Sequence, residues 1–173
     1  QIFENVYTTP SQIAPVDITD YLATTYNFTL PEMVDAAAGG RHTALLAADG
    51  SVWTMGDNRE GQLGVGDLEL HYGPVQMLKG QGGDVPVDKQ GLTGALRLTA
   101  GDAFTTVLRT NGKVYTFGAN DLGQLSVTST AGARTPVQVE RIYGQDNDLY
   151  LNNVLTVSSG EDHTLALVWD SAN

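Results

Sequence analysis

The feature that most constrains this chain is a phrase written twice. "GDNREGQLG" (Gly56 to Gly64) returns 62 residues later as "GANDLGQLS" (Gly118 to Ser126). The phrase is poor in apolar residues and rich in turn formers, so it reads as a loop and not a core strand. A loop recurring at a fixed interval marks a repeated supersecondary unit, and such units bury their core by stacking on one another. The match extends without a gap over Ala37 to Asp67 and Thr99 to Ser129. Gly39 pairs with Gly101, His42 with Phe104, Gly50 with Gly112, and Trp53 with Tyr115. Gly56 pairs with Gly118, Asn58 with Asn120, Gly61 with Gly123, and Leu63 with Leu125. Further on, "GPVQM" (Gly73 to Met77) aligns with "TPVQV" (Thr135 to Val139).

A third copy starts near the end. "VSSGEDHTLALVWDSAN" sets Gly160 beside Gly101 and His163 where His42 stands. At the other end "TPSQIAPVDIT" (Thr9 to Thr19) resembles the tail of a repeat. The chain therefore divides into an arm with a half repeat (1–33), two full repeats (34–95 and 96–154) and a truncated third (155–173).

Each repeat reads as β. "HTALLA", "SVWTMG", "FTTVLR", "KVYTFG" and "HTLALVW" are short runs of Thr, Val, Leu and aromatics. Asp49-Gly50 and Asn111-Gly112 are two-residue hairpin signals that want positive φ at both central positions, so the flanking runs should pair antiparallel. Gly56 and Gly118 end strands and open loops, where positive φ or close backbone approach is expected. Helical periodicity is scarce; Ile18 to Ala23 is one candidate short helix. Short strands in units of about sixty residues point to a radial β-array.

The combined motif of glycine, His-Thr, hairpin turn, aromatic, Gly-x-Asn and Gly-Gln-Leu-Gly resembles the regulator of chromosome condensation repeat family. That resemblance implies β-propeller blades. Propellers run from about four to eight blades, so about three blade-equivalents imply an incomplete ring, closed or extended by another chain.

Composition trims the functions. With 20 acidic against 9 basic residues the net charge is −11. This opposes nucleic-acid binding, which relies on Lys and Arg to release counterions. No Lys or Arg precedes Arg41, so the basic arm that chromatin binding would want is lacking. A guanine-nucleotide exchange surface has no counterpart that can be mapped either. No apolar run is long enough to insert in a membrane. Cysteine is absent, which excludes disulfide and thiol chemistry. The acidic, cysteine-free, Lys-poor composition suits an extracellular or cell-surface protein, and in that setting the sequon Asn27-Phe28-Thr29 makes Asn27 a candidate glycosylation site.

The candidate chemical residues read as structural. His42 and His163 invite a catalytic role, but the second copy carries Phe104 there, so the position is one of packing. Asn58 and Asn120 suit turn capping, and Gln62 and Gln124 suit bonds to nearby backbone. His71 stands alone in the "ELHYG" linker and is expected in solvent. Asp67-Leu68-Glu69 and Asp146-Asn147-Asp148 lack calcium-loop spacing and allow at most a weak surface calcium site. No cofactor or active site is implied. The expected partners are other copies of the chain or neighbouring repeats. The bare half repeats should then join head to tail, with Ile2, Phe3, Val6 and Tyr7 as anchors. The alternative is a fragment of a larger multi-repeat propeller.

Overall fold

The computed structural model describes residues 29–78, 91–141 and 149–169. Within them every regular element is a β-strand, as runs of β-branched and aromatic residues dictate. β1 (Met33–Ala38), β2 (His42–Ala47), β3 (Val52–Gly56) and β4 (His71–Gln76) form one antiparallel sheet in chain order. β5 (Ala95–Ala100), β6 (Phe104–Arg109), β7 (Val114–Gly118) and β8 (Ala133–Gln138) form a second. β9 (Val154–Ser159) and β10 (Thr164–Val168) form a two-stranded third sheet. These are two whole propeller blades and half of another. The expected helix at Ile18 to Ala23 and the half repeat at Thr9 to Thr19 lie outside the described residues.

The repeat is kept down to register. Leu45 faces Trp53, which faces Gln76; in the second blade Val107 faces Tyr115, which faces Gln138. Each blade slips register at one place in its first strand, after Met33, Ala95 and Val154. Pro74 and Pro136 sit in the outermost strands, where a missing N–H breaks no ladder.

The hairpins form where the sequence puts them, but by a different turn. Ala47 N–H donates to Ser51 O at 2.9 Å and Gly50 N–H donates to Ala47 O at 2.9 Å. The loop is thus three residues, Ala48 to Gly50, and only its glycine is left-handed, at φ 79°. The second blade repeats this over Thr110 to Gly112, with Gly112 at φ 75°. A type I turn closed by a left-handed glycine keeps the strand twist without positive φ at the preceding residue. Asp49 and Asn111 instead accept a bond from the backbone two residues on, at Ser51 (2.8 Å) and Lys113 (3.2 Å).

The core lies between blades. Leu46 and Val52 of the first blade meet Leu98, Val107 and Phe117 of the second. Leu108 and Val114 of the second meet Val154 and Val157 of the third. β5 packs on both β1 and β2, and β9 packs on β5 and β6. The first strand of each blade is the one wedged against its neighbour.

Candidate interaction surface

The repeated loop is a clamp within and between blades. Asn58 Oδ1 accepts the Leu63 amide at 3.0 Å while its Nδ2 donates to Asp67 O at 3.0 Å. Asn120 does the same with the Leu125 amide at 3.0 Å and Ser129 O at 2.6 Å. Gln62 and Gln124 accept the amides of Glu60 and Leu122. Leu63 and Leu125 are both fully buried. Sequence reasoning missed the threonines that pin them. Thr54 donates to Leu63 O at 2.8 Å and Thr116 to Leu125 O at 2.9 Å. Their signal was present, since Thr recurs one residue after the aromatic in both copies. Gly56 and Gly118, at φ 111° and 113°, turn the chain from strand into loop.

The loop of the first blade rests on the second. A Cβ on Gly61 would lie 2.8 Å from Arg134 Cα and 2.9 Å from Ala133 O. Gly66 N–H donates to Arg134 O at 2.9 Å.

A row of equivalent positions joins the blades. The rings of His42, Phe104 and His163 each cover the glycine three residues before, at Gly39, Gly101 and Gly160. Gly40 N–H donates to Asp102 O at 3.0 Å, and Asp102 N–H to Glu161 O at 2.9 Å. His42 is buried, and His163 is exposed. Thr105 donates its one hydroxyl hydrogen to Gln62 O at 2.9 Å. The 2.8 Å contact with His42 Nε2 therefore takes a proton from the imidazole. That leaves His42 Nδ1 as a bare acceptor, buried and without a partner. Burial pushes its pKa from 6.5 down to about 4, against the pull of Asp57 and Asp102.

Beside it a cleft of about 340 Å³ is walled by Arg41, Asp57, Arg59, Glu60 and Asp102. Arg59 donates through Nε and Nη2 to Asp57 at 2.9 and 2.7 Å, which holds the Asp57 carboxyl below the usual carboxylate range. The walls carry both signs of charge and no nucleophile beside a base.

The remaining expectations fall as follows. His71 is not free in solvent: it opens β4 and its Nε2 lies 3.1 Å from the Asp67 carboxylate, because the loop folds back on the strand. That carboxylate also meets Asn58 Nδ2 and the Glu69 amide. Ile2, Phe3, Val6, Tyr7, Asn27 and Asp146 to Asp148 lie outside the described residues.

The third blade is open. Leu167 is 59% exposed, while its equivalents Leu46 and Leu108 are 3% and 0% exposed. Leu165 and Trp169 are exposed too. Leu108 is covered by Val114 of β7 and by Val154 and Val157 of the next blade. Among the described residues β10 has no strand on its outer side. Gly123, the counterpart of Gly61, has nothing within 4 Å of its Cβ position.

The family model for the regulator of chromosome condensation (RCC1) repeat matches residues 49–108 and 111–167. A second model of that repeat matches 33–62 and 97–124. The human "probable E3 ubiquitin-protein ligase HERC6" is 36% identical over 79% of this chain and 12% of that protein. The Xenopus laevis "regulator of chromosome condensation" is 32% identical over 80% of this chain and 29% of that protein. The chain thus spans under a third of either relative. The yeast protein Prp20, solved with Kap60 bound, superposes with a TM-score of 0.59 at 21% identity, over 83% of this chain and 29% of that one.

Proposed function

We infer the function from one premise: the chain belongs to the regulator of chromosome condensation (RCC1) repeat family. We propose that it is a non-enzymatic protein-interaction module whose attachment surface is the open third blade. The observation that carries this is the exposure of Leu165 and Leu167 on β10, and of Trp169 just after it, with no strand on the outer side of β10 among the described residues. Burying each such side chain contributes about 1.5–3 kcal/mol, and an unpaired edge is a template for another strand. Prp20 was solved with a protein bound, which supports a protein as the partner class. The finer reading is head-to-tail self-association, in which Ile2, Phe3, Val6 and Tyr7 of one copy anchor on β10 of the next. Such contacts give rings or filaments according to whether the rotation closes. The acidic, cysteine-free composition suits an extracellular setting, in which Asn27 would be open to glycosylation; a mobility shift on glycosidase treatment of the natural protein would test this.

Sedimentation velocity at tens of micromolar tests the association. The intact chain should sediment as dimers or larger, and Leu165→Asp/Leu167→Asp as monomers with unchanged β circular dichroism. A monomeric intact chain overturns self-association. A second reading has its own support, since the chain spans only 12% to 29% of the relatives described. There the same face is covered by further repeats of a longer protein. A natural mass well above 18.4 kDa would favour it.

A further inference from the structure

We propose that the cleft between the first two blades binds a Lys- or Arg-bearing segment of a protein partner. Glu60 and Asp102 take the cation, and Gln62 takes a carbonyl oxygen of the same segment. This site is separate from the open third blade and does not rest on self-association.

The amide of Gln62 points to a ligand. Gln62 lines the cleft and is only 2% exposed. Its Oε1 accepts the Glu60 amide at 2.9 Å, which assigns the two ends of the side chain and leaves Nε2 as a pure donor. Nε2 meets no acceptor among the described residues. The sealed side-chain atoms that lack a partner there are His42 Nδ1 and Gln138 Nε2. Gln62 Nε2 is not one of them, so its N–H groups open on the cleft that Gln62 lines. The second blade treats this amide differently. Gln124 donates from Nε2 to Asp121 at 3.4 Å. In the first blade Arg59 stands where Asp121 stands, and Arg59 is turned onto Asp57. The change from Asp to Arg takes the acceptor away from Gln62.

The repeat does not require the charges around it. Asp57 and Glu60 correspond to Ala119 and Leu122 in the second blade. The loop there still closes by the same asparagine and glutamine bonds. Asp102 corresponds to Gly40 in the first blade. Gly40 also makes room for it, since a Cβ there would strike Asp102 Oδ1.

The charges select the occupant. Two guanidiniums and three carboxylates wall the cleft, which leaves one negative charge in excess. Asp57 is committed to Arg59 by bonds of 2.9 and 2.7 Å. Glu60 and Asp102 enter no ion pair among the described residues. Ionised carboxylates only accept, and the amide nitrogen only donates. A ligand that satisfies both must carry a cation and an acceptor oxygen close together. A basic residue within a peptide does so, through its side chain and the adjoining carbonyl. The net charge of −11 draws basic partners from longer range. At about 340 Å³ the cleft lies at the small end of ligand sites, about 300–1,000 Å³, which suits one inserted residue.

NMR of the ¹⁵N-labelled chain tests this with acetyl-Gly-Arg-Gly-amide at constant ionic strength. The peptide should bind with a Kd of about 1–10 mM and shift the Gln62 side-chain amide with the Glu60 and Asp102 backbone amides. The same peptide with neutral citrulline for arginine should bind at least about fivefold more weakly. Glu60→Gln/Asp102→Asn should weaken the arginine peptide at least about fivefold and leave the urea midpoint unchanged. Methylguanidinium, which brings the cation without the carbonyl, should bind at least about fivefold more weakly than the peptide. No shift of these amides at about ten times the lower Kd overturns the site. Equal binding of the arginine and citrulline peptides overturns recognition of the cation. Equal binding of methylguanidinium overturns a peptide segment as the ligand. Leu165→Asp/Leu167→Asp should bind the arginine peptide unchanged; loss of binding there would place the contact on the open blade and overturn the cleft.

Discussion

Acidification between pH 7 and pH 5 should destabilise this protein mainly through His42, and His42→Phe should remove that sensitivity. In the folded chain Nε2–H is spent on Thr105 and the buried Nδ1 has no acceptor to receive a second proton's bond. Its pKa is pushed from 6.5 down to about 4 by burial. Below pH 6.5 the unfolded chain takes up a proton that the folded chain refuses, so stability falls with pH and levels off only below about 4. At about 1.4 kcal/mol per pKa unit, the full difference is roughly 3 kcal/mol, of which about 2 kcal/mol is lost by pH 5. Carboxyls held below their ordinary range, such as Asp57, lose their contribution only at lower pH. Phe104 already occupies the equivalent place over Gly101, so phenylalanine fits the site. The variant gives up one hydrogen bond, worth about 1 kcal/mol, and also removes the orphaned Nδ1. Thr105 keeps its bond to Gln62. Urea unfolding at fixed protein concentration should therefore show near-equal midpoints at pH 7 and a more stable variant at pH 5. Parallel pH dependence of the two proteins between pH 7 and 5 would refute the reasoning.

Leu63→Ala should cost about 2–5 kcal/mol, since Leu63 is fully buried under the clamp; a loss below roughly 0.5 kcal/mol in urea unfolding would show it to be peripheral. Gly61→Ala and Gly123→Ala share a left-handed φ of 83° and 77°, yet only the first meets a neighbouring blade. Gly61→Ala should thus be the more destabilising by at least about 1 kcal/mol, and equal losses would deny the inter-blade contact. Thr54→Val leaves the Leu63 carbonyl without its donor and should cost about 1–3 kcal/mol, read from the same unfolding curves. Amide exchange should be slowest in β6 and β7, whose blade is packed on both sides, and fastest in β10; faster exchange in β6 than in β10 would contradict the packing order.

The fold was legible because the sequence writes it twice in one register. Strand runs such as "SVWTMG" and "KVYTFG" alternate with glycines at fixed offsets, and backbone pairing follows such patterns closely. Gly56 and Gly118 announced their positive φ for the same reason. What a pattern of residue types does not carry is which neighbour satisfies a polar group. Asp49-Gly50 looks the same whether its turn has two residues or three, and the Ser51 amide reaching the Asp49 carboxylate decides for three. His71 seemed isolated because its partner, Asp67, is brought back only by the folding of the loop. His42 was readable as a packed ring from Phe104 in its place. Its bond to Thr105 joins residues 63 apart in sequence, and no local pattern announces it.

Position within the row, more than residue identity, separates the three blades. The ladder from Gly40 to Asp102 to Glu161 passes one backbone bond from blade to blade. The apolar layers do the same, with Leu46 facing the second blade's strands and Leu108 facing the third's. Where each unit contacts only its neighbours, stability is close to a sum of unit terms and interface terms. Among the described residues the middle blade collects two interface terms and the flanking blades one each. An array of this kind is held weakest at its ends, and its ends also expose the groups that every interior blade satisfies. Leu167 differs from Leu108 in exposure although both are leucines at one place in one strand. Gly123 differs from Gly61 in the same sense. Among the described residues, the face that β10 exposes is therefore the counterpart of the interface that the second blade buries, and the attachment proposed above would use it.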